Sequence, residues 1–214
     1  MPRTLQPELL DSLPPDHPDA RHSRRDLRLI NHLMGNHRWF ARTLPPLLRP
    51  GERALELGAG TGELSSRLHS FGIAADGLDR VPPPPAWPTA RSWHISDLRS
   101  FAAYDGYAAI LANLILHHLT ADELAALGTT LNRTARVILA SEPARRTRFQ
   151  RLFALAGPLF GANRVTRHDA HVSIAAGFRE EELPLALGLS RSRWQWRCTH
   201  SALGAYRMIA IRCP

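Results

Sequence analysis

Ala54-Leu-Glu-Leu-Gly-Ala-Gly-Thr-Gly62 reads as a short apolar strand that runs straight into a glycine turn. Glycines at alternate positions let the backbone bend sharply and approach a ligand with no Cβ in the way. A helix follows over residues 63–71 and stops at Gly72. Strand, turn and helix in that order mark the place where a doubly wound sheet holds its ligand, past the carboxyl end of the first strand. A dinucleotide fingerprint, G-x-G-x-x-G, requires glycine at its sixth position and a helix N-terminus facing pyrophosphate. That position is Glu63, and Glu56 precedes the turn. Two carboxylates repel phosphate, so the turn suits a cationic ligand free of phosphate.

Downstream the same alternation continues. Residues 73–78 form a second strand that ends at Asp79, followed by the rigid run Pro82-Pro-Pro-Pro85. Residues 91–95 give a third strand with Ser96-Asp97 behind it, and 107–112 a buried fourth. Thr120 and Glu123 make a capping box, opening a helix whose core face carries Leu124, Leu127 and Leu131. Residues 136–140 are a fifth strand, 145–176 a helix-rich insertion broken at Gly157-Pro158, and 179–187 a further helix. Strands at 193–199 and 205–212 flank a glycine-containing turn and pair antiparallel. Upstream, a leader (residues 1–22) holds Pro2, Pro7, Pro14, Pro15 and Pro18 and is expected to be extended or partly ordered. Ser23 and Asp26 are expected to cap one helix over residues 23–44, with Leu27, Ile30, Met34, Ala41 and Leu44 on its apolar face and Pro45-Pro46 ending it. The expected fold class is α/β: one domain, residues 1–214, with a doubly wound sheet, mostly parallel and antiparallel at its C-terminal end.

Composition excludes several classes. Hydrophobic residues make up 44% and charged residues 21% of 214 residues, which rules out a disordered or fibrous chain. The longest apolar run, 107–116, is too short to cross a bilayer and contains Asn113. No membrane association and no secretory signal are expected, because the N-terminus carries acids and prolines in place of a basic and then apolar stretch. Cys198 and Cys213 lack disulfide or metal spacing and are expected to be free thiols in the cytoplasm. The net charge of +8 comes from 27 basic residues that are all arginine, a pattern that a GC-rich coding bias explains. The arginines are dispersed, the densest groups being Arg24-Arg25 and Arg145-Arg146 with Arg148, so no nucleic-acid footprint is read from them.

Glu56-Leu-Gly-Ala-Gly-Thr-Gly62 fits every position of [D/E]-x-G-x-G-x-G, and on this motif the chain resembles the class I S-adenosylmethionine-dependent methyltransferases. Three further landmarks of that family have counterparts in order: Asp79 at the end of the second strand, Asp97 with Leu98 after the third, and the fourth strand running into Asn113. The resemblance covers residues 44–142 and implies a Rossmann-like seven-stranded sheet with a cofactor-binding core over 53–142. It implies S-adenosylmethionine as the cofactor, held by Glu56, Gly58, Ala59, Gly60, Gly62, Asp79, Arg80, Asp97, Leu98 and Asn113. Asp79 would bond the ribose hydroxyls and Asp97 would lie at the adenine.

Methyl transfer from a sulfonium requires alignment of acceptor, methyl and sulfur, with water excluded. A phenolic acceptor, with a pKa near ~10, gains from a neighbouring base. His117 and His118 directly follow the fourth strand, adjacent side chains diverge, and His117 is the expected catalytic residue. The insertion 145–176 mixes Phe149, Leu152, Phe153, Leu155, Leu159 and Phe160 with His168, Asp169, His171 and Ser173, as expected of a lid over a small-molecule pocket. His168-x-x-His171 alone does not make a metal site, and no metal is expected. Asn36, His37, Arg38 and Trp39 are placed to reach the cofactor. Residues 167–178 and 23–31 are similar to bacterial natural-product methyltransferases of the quinone-biosynthesis branch, which implies O-methylation of a phenolic, quinol or polyketide-derived acceptor in secondary metabolism. A homodimer is compatible with this. Two alternatives use the same landmarks. A nucleic-acid methyltransferase would carry a proline pair and an aromatic where Asn113-Leu-Ile-Leu116 stands, and a non-enzymatic protein would bind the cofactor without turnover.

Overall fold

The computed structural model describes residues 1–14 and 16–214; Pro15 of the leader lies outside them. Seven strands form one sheet: β1 (Ala54–Leu57), β2 (Ala75–Asp79), β3 (Trp93–Ile95), β4 (Ala109–Asn113), β5 (Val137–Pro143), β6 (Trp194–His200) and β7 (Ala205–Arg212). Their spatial order is β3-β2-β1-β4-β5-β7-β6. β1 to β5 pair parallel, and β7 alone runs against them, inserted antiparallel between β5 and β6. This is the expected doubly wound arrangement with an antiparallel C-terminal strand.

The central strands are apolar on both faces because both are covered. On one face Ala54, Ala75, Leu111 and Leu139 pack against Phe40 of α3 (Asn36–Thr43), Leu44 directly after it, and Leu64 and Leu68 of α4 (Glu63–His69). On the other, Leu55, Leu57, Ile110 and Ile138 meet Leu124, Leu127 and Leu131 of α5 (Ala121–Thr134) and Leu183 of α8 (Glu182–Ala186). The capping box at Thr120 is formed, with both reciprocal bonds to Glu123 present. Helix α8 is shorter than the 179–187 expected, and β5 runs three residues further, to Pro143. Cys198 and Cys213 are free thiols. No helix among the described residues is long and apolar enough to cross a membrane.

The N-terminal region departs from expectation. The single helix over 23–44 is two helices, α2 (Pro18–Met34) and α3, divided at Gly35, whose left-handed backbone (φ 67°) ends one and starts the next. Helix α2 begins five residues early, at Pro18, because the His17 side chain accepts from the Asp19 N–H. Ser23 and Asp26 are therefore interior, where both bond the Thr166 hydroxyl (3.1 and 2.9 Å) and cap nothing. The leader contains a short helix, α1 (Leu9–Ser12), and is fastened to the body. Arg3 donates to the carbonyls of Ala176, His117 and Leu119 (2.7–3.1 Å). The Thr4 N–H reaches Ala175, and Asp169 accepts from the backbone N–H groups of Leu9 and Leu10 (2.7 and 3.0 Å). The insertion is two helices, α6 (Thr147–Ala156) and α7 (Arg164–Ala176), parted by a 3-10 turn at Gly157–Phe160. Helices α1, α2, α6 and α7 roof the carboxyl ends of β1, β4 and β5.

Candidate active site

Under that roof lies a cavity of about 790 Å³, lined by the glycine turn, the end of β4, α2 and both helices of the insertion. Gly58, Gly60 and Gly62 all have positive φ (61°, 54° and 69°). At Gly58 a Cβ would stand 2.7 Å from Ile115, and at Gly62 2.8 Å from Trp87, so shape as well as backbone conformation requires glycine there. The turn ends on Gly62, which carries no capping side chain, at the start of α4.

Glu56 is buried at the last inward position of β1, where its carboxylate accepts from the Ser65 hydroxyl (2.5 Å) and N–H (3.0 Å) of α4. Burial pushes its pKa up to about 7 against those two bonds. Asp79, at the tip of β2, accepts from the N–H groups of Gly60 (2.7 Å) and Val81 (3.1 Å), which holds the second strand end to the glycine turn. Asp97, after β3, is clasped by Arg99, which also bonds Glu123 (2.7 Å). The hydrogen bonds from Arg99, helped by the charge of Arg80, pull the Asp97 carboxyl down to about 2. Leu98 packs on the core and its carbonyl accepts from the Tyr104 hydroxyl. Asn113 donates to Asn31 (3.1 Å), and its own Oδ1 is buried with no hydrogen-bond partner among the described residues. Asn31 also receives the amide of Asn36, which in turn accepts from Ser141.

Of the expected cofactor residues, Glu56, Gly58, Ala59, Gly60 and Asn113 line the cavity; Gly62, Asp79, Arg80, Asp97 and Leu98 lie beyond its lining, along the sheet edge. His37 reaches the cavity, whereas Asn36 is buried in the amide chain and Trp39 lies under Arg207.

Directly after β4, Leu114 adopts a positive φ of 57°, a costly conformation for a residue with a side chain. It turns the chain into a 3-10 turn, Leu116–His118. Glu142, fully buried near the end of β5, accepts from the N–H groups of Ile115 and Leu116 (3.1 and 3.0 Å) and from His117 Nδ1 (2.7 Å). His117 Nε2 faces Glu8 at 3.4 Å. Burial opposes charge on His117, but the bonds to Glu142 and Glu8 outweigh it and raise its pKa to about 9. His118 is pushed the other way, by burial and by the charge of His117. The expectation that adjacent side chains diverge fails here. The two rings lie 4.2 Å apart at 37°, and both line the cavity, because a 3-10 turn does not separate neighbours as a strand does.

Of the insertion's residues singled out above, Phe149, Leu152, Phe153, Phe160 and Ser173 line the cavity. Leu155 and Leu159 point outward, 77% and 85% exposed. Asp169 is committed to the start of α1 and to His168 (3.0 Å). Sequence inspection missed Glu8, Asn31 and Glu142. For Glu142 a signal existed, an acid just beyond the apolar run 137–140; for Glu8 there was none, since it meets His117 from 109 positions away.

A parallel sheet with one reversed strand, a glycine turn after β1 and acids at the ends of β2 and β3 define the fold used by methyltransferases. Comparison with solved structures agrees. The plantazolicin methyltransferase BpumL in complex with SAH matches with a TM-score of 0.65 at 11% identity over 93% of this chain and 92% of that one. The methyltransferase domain of bacterial CtHen1-C matches at 0.61, with 16% identity over 85% and 98%. The pyocyanin biosynthetic protein PhzM matches at 0.59, with 18% identity over 92% of this chain and 60% of that one. No protein-family model and no curated protein sequence matches the chain. The likeness establishes the fold.

Proposed function

We propose that this chain is an S-adenosylmethionine-dependent methyltransferase acting on a small, largely apolar acceptor. The observation that carries this is one cavity lined both by the glycine turn after β1 and by the His117–His118 turn after β4. Among its lining groups are two acceptors, the Glu56 carboxylate and the Asn113 Oδ1. These suit a donor-bearing cation such as the ammonium of a methionine moiety. The ten residues of the expected cofactor set are proposed to hold the ligand, with Asp79 at the ribose and Asp97 at the adenine. When bound, S-adenosylmethionine supplies a methyl group already activated on a sulfonium.

The same cavity presents His117, His118 and Glu8, and His117 is proposed to orient the acceptor. Leu27, Ile30, Met34, Phe153 and Phe160 also line it, excluding water and favouring an aromatic or polyketide-like body. Alignment of the two ligands is then the larger catalytic contribution. The finer reading is O-methylation of a phenolic, quinol or polyketide-derived hydroxyl in secondary metabolism, supported by the apolar walls and by neighbours whose names place them in natural-product pathways. Incubation with methyl-labelled S-adenosylmethionine and a panel of hydroxylated arenes, followed by mass analysis, tests it. A product heavier by one methyl on oxygen is expected. Failure to bind S-adenosylhomocysteine in calorimetry rejects the reading.

A further inference from the structure

We propose that Glu8, His117 and His118 form a binding site for one divalent cation of the zinc type in the wall of the cavity. The three side chains bring one ligand atom each to within 4.8 Å of one another. Glu8 Oε1 stands 3.4 Å from His117 Nε2 and 3.8 Å from His118 Nε2. Donor atoms around a tetrahedral zinc ion, each bonded at about 2.0–2.1 Å, are about 3.3 Å apart. A carboxylate that merely pairs with an imidazolium closes to about 2.7–2.9 Å, as Glu142 does with His117 Nδ1 at 2.7 Å. Glu8 stands off from both rings, at the spacing of ligands that share an ion.

A second observation concerns the support behind these atoms. With its Nδ1 bonded to Glu142, His117 turns Nε2 toward Glu8 and the cavity, and an ion bound there would take the place of the Nε2 proton. Glu142 is itself fixed by the backbone N–H groups of Ile115 and Leu116. Carboxylate behind imidazole behind metal is the arrangement that sets ring orientation and raises ligand basicity at metal sites. Glu8 has its own support, a hydrogen bond donated by Ser173.

The donor set decides which ion. Two imidazole nitrogens and one carboxylate suit zinc or a neighbouring transition metal and disfavour magnesium and calcium, which require oxygen. Three protein ligands leave a coordination position open, and all three residues line the cavity, so that position faces it. It would take an oxygen of the acceptor, a hydroxyl or a carbonyl. That role rests on the methyltransferase reading; the ion site does not.

The test uses the full chain, stripped with a chelator and titrated calorimetrically with zinc chloride, then with cobalt(II) followed by visible absorption. One zinc per chain in the micromolar range or tighter is expected, with cobalt bands of a four- or five-coordinate site. Glu8→Gln and His118→Asn are expected to weaken zinc at least ~10-fold while S-adenosylhomocysteine affinity stays within about twofold. His117 is left intact because it is buried on Glu142. Absence of one-to-one zinc binding, or zinc binding unchanged in both variants, overturns the proposal. S-adenosylhomocysteine titration of the same samples separates the two readings. Cofactor binding without zinc rejects only the ion site, and zinc binding without cofactor rejects only the methyltransferase.

Discussion

Glu56 is a buried carboxyl with a pKa of about 7, and burial is the main cause. A carboxyl whose folded value lies above its unfolded one stabilises the fold fully below the unfolded pKa, near 4.5. That contribution is lost as pH rises through about 7. A cationic ligand reverses the preference by favouring the ionised form. S-adenosylhomocysteine, which keeps the ammonium, is therefore expected to bind about 10-fold more tightly at pH 8 than at pH 6 and to release protons. Calorimetry in buffers of different ionisation heat measures both, and Glu56→Gln is expected to flatten the dependence. Asp79→Ala is expected to weaken the same ligand by about 1–3 kcal/mol through lost hydrogen bonds. The Gly60 N–H, which Asp79 now satisfies, is freed by that change, so the variant's unfolding midpoint should be recorded alongside its affinity.

At the level of elements, the capping box of α5 is the most local feature of the fold and was visible as Thr120 and Glu123 alone. Thr120→Ala is expected to cost about 1 kcal/mol, read as a lower thermal midpoint with ligand affinity intact. Strands β1, β4 and β5 were legible for a related reason: each is a short, mainly apolar run covered on both faces, whereas the edge strand β3 is only partly covered. The break at Gly35 was not legible, since Leu27, Ile30 and Met34 before it and Ala41 and Leu44 after it keep one continuous helical period. A left-handed glycine redirects the chain without disturbing that pattern. The glycine-turn residues of the proposed site could be picked out because they are neighbours in sequence, and His117 because it follows β4. Glu8 and Glu142 could not, because the leader and the end of β5 meet His117 only in space.

Across the whole molecule the leader acts as a strap. It is anchored by Arg3 on the carbonyls of Ala176, His117 and Leu119 and by Asp169 at the start of α1, and it carries Glu8 into the cavity wall. Asp169→Ala removes the pair of bonds at Leu9 and Leu10. It is expected to speed amide exchange and proteolysis across residues 1–12 by about 10-fold, a loss of about 1.4 kcal/mol in local closure, while exchange in β4 and β5 stays unchanged. Mass-resolved hydrogen exchange distinguishes this from general loosening.

The position of β7 has a consequence for biosynthesis. β6 is made before β7 yet touches the rest of the sheet only through it. On the ribosome, β1 to β5 can assemble while β6 has no strand to pair with. Until β7 emerges, the edge of β5 stays open and prone to pairing with foreign strands. Slow translation through residues 194–212 would therefore lengthen the interval in which a nascent chain is vulnerable to aggregation.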